Sequence, residues 1–109
     1  MGTLFNLPMR WRKGGQTTFS KSELGQLMSL YGERVSKGEW RDYALDSLSD
    51  VAIFSVFKSA HERPIYTITK KQGRGLRQST MFVVYNGEKP LKQSASLFDV
   101  LQVLRDIKK

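Results

Sequence analysis

The apolar positions of the chain fall into two helical stripes separated by a run of extended segments. Leu24, Leu27, Met28, Tyr31 and Val35 recur at i, i+3, i+4, i+7 and i+11, which gathers them on one side of a helix. Ser20 and Glu23 have the spacing of a capping box, and Phe19 and Leu24 that of a hydrophobic staple, so this helix is predicted to start at Lys21. Gly38 is placed to end it. The second stripe is Leu97, Val100, Leu101, Leu104 and Ile107. Ser94 or Ser96 serves as its N-cap, Asp99 lies in its first turn, and Arg105, Lys108 and Lys109 lie in its last, as the helix dipole favours.

Between the stripes the period changes from helical to extended. Residues 51–57 (Val-Ala-Ile-Phe-Ser-Val-Phe) are β-branched and aromatic without a breaker and predict a strand buried on much of both faces. Residues 65–70, opened by Pro64, predict a second strand, and residues 80–85 a third. Asn86-Gly87 is a strong hairpin signal that sends residues 88–92 back as a short fourth strand, with Pro90 placing it at an edge. Residues 40–46 fit either a helical turn or a strand, with strand preferred. The predicted class is α+β: helix, an antiparallel meander of three to four strands, helix, with both helices on one sheet face.

This domain is assigned to residues 19–109, and residues 1–18 to a flexible basic arm. Paired glycines in residues 12–18 support the arm. Phe5, Leu7, Met9 and Trp11 alternate within it, a pattern open to three readings: a disordered leader, an edge strand limited by Pro8, or an arm that docks on a partner.

Composition narrows the function classes. The chain has 109 residues, 18 Lys plus Arg against 10 Asp plus Glu, one His and no Cys. One core of modest size is all this length supports. The absence of cysteine removes disulfides, thiolate metal sites and Cys nucleophiles. No apolar run reaches the roughly 18–20 residues that span a bilayer, so no membrane is expected, and the cytoplasm is the expected compartment. The net charge of +8 is uneven: residues 1–20 carry +3, residues 21–48 are slightly negative, and residues 49–90 carry +4. Such asymmetry attracts polyanions, although solvation alone accounts for basic surfaces equally often.

Candidate chemistry is sparse. His61 is the single histidine, in a polar loop without a partner, which argues against general-base catalysis. Carboxylates at ligand spacing are missing, so neither a metal site nor a cofactor is expected. Gly73-x-Gly75 lacks both the third glycine and the helix of a dinucleotide fingerprint. The same loop holds Lys70, Lys71, Arg74 and Arg77 without an acid among them, and with Arg63 and Lys89 it forms a candidate polyanion-binding set. A second candidate surface follows from strand alternation. If Phe54, Val56, Tyr66 and Ile68 face the helices, then Ile53, Phe57 and Ile65 face the other side. A second copy, the N-terminal arm with Trp11 or stacked bases are the candidates to cover them, the second copy being the least demanding, so Trp11, Ile53, Phe57 and Ile65 form a candidate interaction surface.

The runs Phe19-Ser20-Lys21-Ser22-Glu23-Leu24, Leu30-Tyr31-Gly32, Gly38-Glu39-Trp40-Arg41-Asp42-Tyr43-Ala44 and Ala52-Ile53-Phe54-Ser55-Val56-Phe57 resemble a family of small alphaproteobacterial proteins, domain of unknown function 2794. The resemblance extends from about Thr18 to the end and implies a bacterial cytoplasmic protein of this size, with no activity attached. The order helix, strands, helix is also similar to the double-stranded-RNA-binding domain. That family opens its second helix with several lysines, whereas residues 91–96 carry one, which puts duplex binding in doubt. Trp40-Arg41-Asp42-Tyr43 is read as the junction that closes the first helix onto the sheet, in preference to a ligand site. Three functional expectations follow: a non-enzymatic module for nucleic acid or another polyanion; a protein-interaction domain, homodimeric in one form; and, third, a small ribonuclease using His61, Tyr66 or a lysine.

Overall fold

The computed structural model describes residues 16–59, 63–73 and 79–107. Its elements are α1 (Lys21–Ser36), β1 (Asp42–Ser47), β2 (Val51–Phe57), β3 (Tyr66–Gln72), β4 (Thr80–Asn86), β5 (Lys89–Ser94) and α2 (Leu97–Asp106). The five strands form one antiparallel meander in the order β1-β2-β3-β4-β5. The α+β class and the helix, meander, helix order are as expected. The strand count is not: residues 42–47 pair with β2 through their whole length and supply a fifth strand. That also separates the fold from the three-stranded sheet of a double-stranded-RNA-binding domain.

Local chemistry sets the helix ends. Ser20 Oγ accepts from Glu23 N at 3.1 Å, and Glu23 Oε1 accepts from Ser20 N at 2.7 Å, so both halves of the capping box are made. At the other end Gly38 takes φ 75°, where its lack of a Cβ avoids strain, and its N–H donates to Val35 O at 2.9 Å. The buried side of α1 is Leu27, Leu30 and Arg34, with Leu24, Met28 and Tyr31 packed beside them. Val35, expected in the stripe, is exposed, because Arg34 one residue earlier takes the inward place. Ser96, the second of the two candidate N-caps, starts α2, which buries Leu97, Val100, Leu101 and Leu104.

Strand register explains where the core sits. Leu45, Phe54, Ile68 and Val84 stand opposite one another across four strands, and the last three are at most 1% exposed beneath the helices. Tyr43, Val56 and Tyr66 form the next row toward the Asn86 end of the sheet. Between Val84 and Tyr85 the β5 pairing slips, leaving Leu91 as an extra residue that packs against the core. Gly87 at φ 63° is the first of two loop positions between β4 and β5, a type II′ pattern, so β5 begins at Lys89 and Glu88 lies in the turn. The edges are charged or interrupted, by Asp42 and Asp46 on β1 and by Lys89, Pro90 and Lys92 on β5, which discourages strand addition.

Two ion pairs hold the helices in place. Arg105 reaches Glu33 from α2 to α1 at 3.0 Å. The buried Arg34 donates through Nη2 to Leu104 O at 2.8 Å and through Nη1 to Glu39 Oε1 at 3.2 Å, satisfying a carbonyl at the end of α2. The residues just before α1 are also tied down. Thr17 N donates to Leu48 O at 2.8 Å, its hydroxyl to Ser49 O at 3.0 Å, and Gln16 Nε2 to Ser47 O at 3.4 Å. Residues 16 and 17, at the end of the expected arm, are thus tied to the turn between β1 and β2; residues 1–15 lie outside the described residues.

Candidate binding cleft at one end of the sheet

The four of the six expected cations that lie among the described residues stand at two ends of the sheet. Arg63 precedes Pro64 at the start of β3, and Lys89 opens β5 opposite Asn86, so both stand at one end of the sheet. Lys70 and Lys71 stand near the other end, about 14 and 17 Å along β3 from Tyr66 at roughly 3.4 Å per residue. Arg74 and Arg77, and likewise His61 and Trp11, lie outside the described residues.

Lys70 is a structural residue. It pairs with Phe82 on the helix side of the sheet, and its Nζ donates to Glu23 Oε1 and Thr18 O, both at 2.8 Å. The side chains of this ion pair are 12% and 19% exposed, so the charge is spent inside the protein. Lys71, on the opposite face by strand alternation, donates to the Tyr85 hydroxyl at 3.3 Å and stands 6.0 Å from that ring's centroid.

The expected interaction surface is altered in one member. Ile53 and Phe57 are half-buried on the face away from the helices, as expected. Ile65 is not there: β3 begins at Tyr66, and Ile65, outside the ladder, packs against the helix-side core. Strand parity does not hold at Ile65, one residue before the strand starts.

At the Asn86 end, α1, α2 and the sheet leave an open cleft of about 340 Å³. Trp40, Ile65, Leu104 and Ile107 give it apolar walls, and Lys58, Tyr66 and Asn86 add polar groups. Arg34 and Glu39 also line it but already pair with each other. Trp40 is 4% exposed, and its ring lies 6.3 Å from both Tyr31 and Tyr66. Its backbone N–H donates to Arg34 O at 3.4 Å, and Arg41 N donates to Phe57 O at 2.7 Å. The Trp-Arg-Asp-Tyr block is thus the expected junction between α1 and the sheet, and also the wall of a cleft.

Burial, then the nearby Asp42 carboxylate, then Tyr43 raise the Tyr31 phenol above its ordinary value of 10.0. Around the cleft end, Arg41, Lys58, Arg63 and Lys89 are all exposed and form no ion pair among the described residues, against the acids Asp42 and Glu88. Arg41, Lys58 and Asn86 were absent from the expected set. Asn86 registers in a sequence only as a turn residue, and Arg41 and Lys58 only as strand flanks. Register across β1 to β5 is what brings them together.

No group of His, Asp and Glu among the described residues is arranged to hold a metal ion, and no helix among them is long and apolar enough to cross a membrane. The class defined here is a small α+β protein with an aromatic-walled, cation-rimmed cleft at one end of a meander sheet. A family model described as protein of unknown function (DUF2794) matches residues 17–101, and the chain belongs to that family. No curated protein and no solved structure matches it.

Proposed function

We propose that the protein is a non-enzymatic module that binds nucleic acid through the cleft end of its sheet. The observation that carries this reading is that Arg41, Lys58, Arg63 and Lys89 are exposed along one end of the sheet and form no ion pair among the described residues, while Lys70 is neutralised internally. Cations that are not committed to the fold are the ones that can displace counterions from a phosphate backbone. Trp40 and Tyr66 beside them supply an aromatic wall of the kind that accommodates bases.

The test is a titration of labelled single-stranded and duplex nucleic acid at several salt concentrations with the wild type and Lys58/Arg63/Lys89→Ala. The variant is expected to fold normally, bind weakly, and lower the slope of log affinity against log salt by about 2 for single strands. Equal binding and equal slopes in the two proteins would remove the proposal.

A second reading is a homodimer joined through the open sheet face, favoured by the half-exposed Ile53 and Phe57 there. Sedimentation of a dimer that Phe57→Lys dissociates, without any nucleic-acid binding, would establish it instead.

A further inference from the structure

We propose that the cleft seats one unstacked base of a single-stranded nucleic acid while Lys58, Arg63 and Lys89 hold the flanking phosphates, a proposal that rests on the nucleic-acid reading above. The volume of about 340 Å³ falls within the small-molecule range of roughly 300–1,000 Å³ and suits a single nucleoside. A stacked duplex does not enter a space of that size, because its bases are paired and covered by their neighbours.

The lining has the two parts that base recognition needs. Trp40, Ile65, Leu104 and Ile107 provide a dry, partly aromatic wall. Tyr66 and Asn86 provide side-chain groups with no hydrogen-bond partner among the described residues, and the Asn86 amide offers a donor and an acceptor to the edge of a base. Arg34 and Glu39, satisfied by each other and by Leu104 O, hold the back of the cleft in shape. Lys58 stands at the lining itself, directly after β2, where a phosphate next to the inserted base would pass. At the other end Lys70 is bound to Glu23 on the same face of the sheet.

Asn86→Trp fills the cleft without removing a cation, at an exposed strand-end position that tolerates an aromatic residue. Labelled oligouridine, oligothymidine and an RNA duplex are titrated into the full chain carrying this substitution and into the wild type. The wild type is expected to prefer the single strands, and Asn86→Trp to bind them about tenfold more weakly with duplex binding unchanged. Equal wild-type affinity for single and double strands, or an unchanged single-strand affinity in folded Asn86→Trp, overturns the proposal.

A measurement on the wild type alone guards against a variant that fails to fold. Uridine 5′-monophosphate is expected to shift the Trp40 indole N–H, identified against Trp11→Phe, and the Asn86 side-chain amide in a nitrogen-15 spectrum. Saturating nucleotide that moves neither also overturns it. If Lys58/Arg63/Lys89→Ala loses binding and Asn86→Trp does not, nucleic-acid binding stands and the seated base falls; if the wild type binds no nucleic acid, both fall.

Discussion

At one end of the sheet Lys70 is folded inward, bound to Glu23 and Thr18 O and mostly shielded from water. At the other end Lys58, Arg63 and Lys89 are exposed and free of ion pairs among the described residues. Each of these residues carries the same formal charge, but only the second group is free of acidic partners among the described residues. Net charge and local density of Lys and Arg therefore do not locate a polyanion site. Which cations the fold has already neutralised is set by the geometry of the strands.

The largest expected effect breaks the cleft end outright. Trp40 is nearly fully buried, contacts Tyr31 and Tyr66, and hangs from Arg34 O by its backbone N–H. Trp40→Ala removes that wall and should cost about 3–5 kcal/mol, a large share of the stability of a domain this size. Urea unfolding followed by circular dichroism checks it. A folded variant with near wild-type stability would mean that the block serves a ligand and not the closure of α1 onto the sheet.

The next substitution sharpens the comparison from the other end. Lys70→Met keeps the apolar stem but leaves Glu23 and Thr18 O without their buried partner, and should cost about 2 kcal/mol. Its affinity for nucleic acid and its salt slope should stay at wild-type values, since the lysine's charge is already matched. A stable Lys70→Met with a reduced salt slope would reverse the assignment of roles.

How much of this was legible beforehand depended on the range of the interactions. The capping box of α1, Gly38 and the stripe of α2 are local, and each could be placed within a residue or two. Alternation correctly put Phe54, Val56, Tyr66 and Ile68 toward the helices. It misplaced Ile65, which lies before the ladder begins, where strand parity does not hold. The partner of Lys70 lies 47 residues away in sequence, beyond any periodicity. Alternation alone does separate Lys70 from Lys71, and that signal was hidden by treating residues 70–77 as a single loop. The cleft was least legible, because its lining comes from the end of α1, the α1–β1 segment, the residue after β2, the start of β3, the end of β4 and the end of α2. No window of the sequence contains it.

A smaller effect probes the turn that carries Lys89. Gly87 occupies φ 63°, a conformation that L side chains avoid, although the space around its Cβ position is open. Gly87→Ala should therefore cost about 1 kcal/mol through backbone strain alone. Because β5 pairs directly with Asn86 through Lys89, the strain should loosen this end of the sheet first. Hydrogen exchange should rise at Asn86 and Lys89 while Lys70 and Phe82 keep their protection. Uniform loss of protection would show that the two ends unfold as one unit.

The smallest effect concerns protons at the same end. Tyr31 packs 5.0 Å from Tyr43 and 6.3 Å from Trp40, with the Asp42 carboxylate near enough to disfavour a phenolate. Its pKa in the folded protein is raised above 10.0, so the fold favours the neutral phenol. The associated stability is complete below the unfolded value and is lost as pH rises through the folded one, because the unfolded chain ionises first. Urea midpoints should accordingly fall as pH is raised past 10, and Tyr31→Phe should flatten part of that decline. Lysines titrate over the same range, so the difference between wild type and Tyr31→Phe is the quantity that isolates the tyrosine. Asp42→Asn should flatten it by less, since burial contributes more than the carboxylate. If both variants follow the wild-type curve, the aromatic cluster behind the cleft is open to water in solution. The dry wall on which the seated base depends would then be absent.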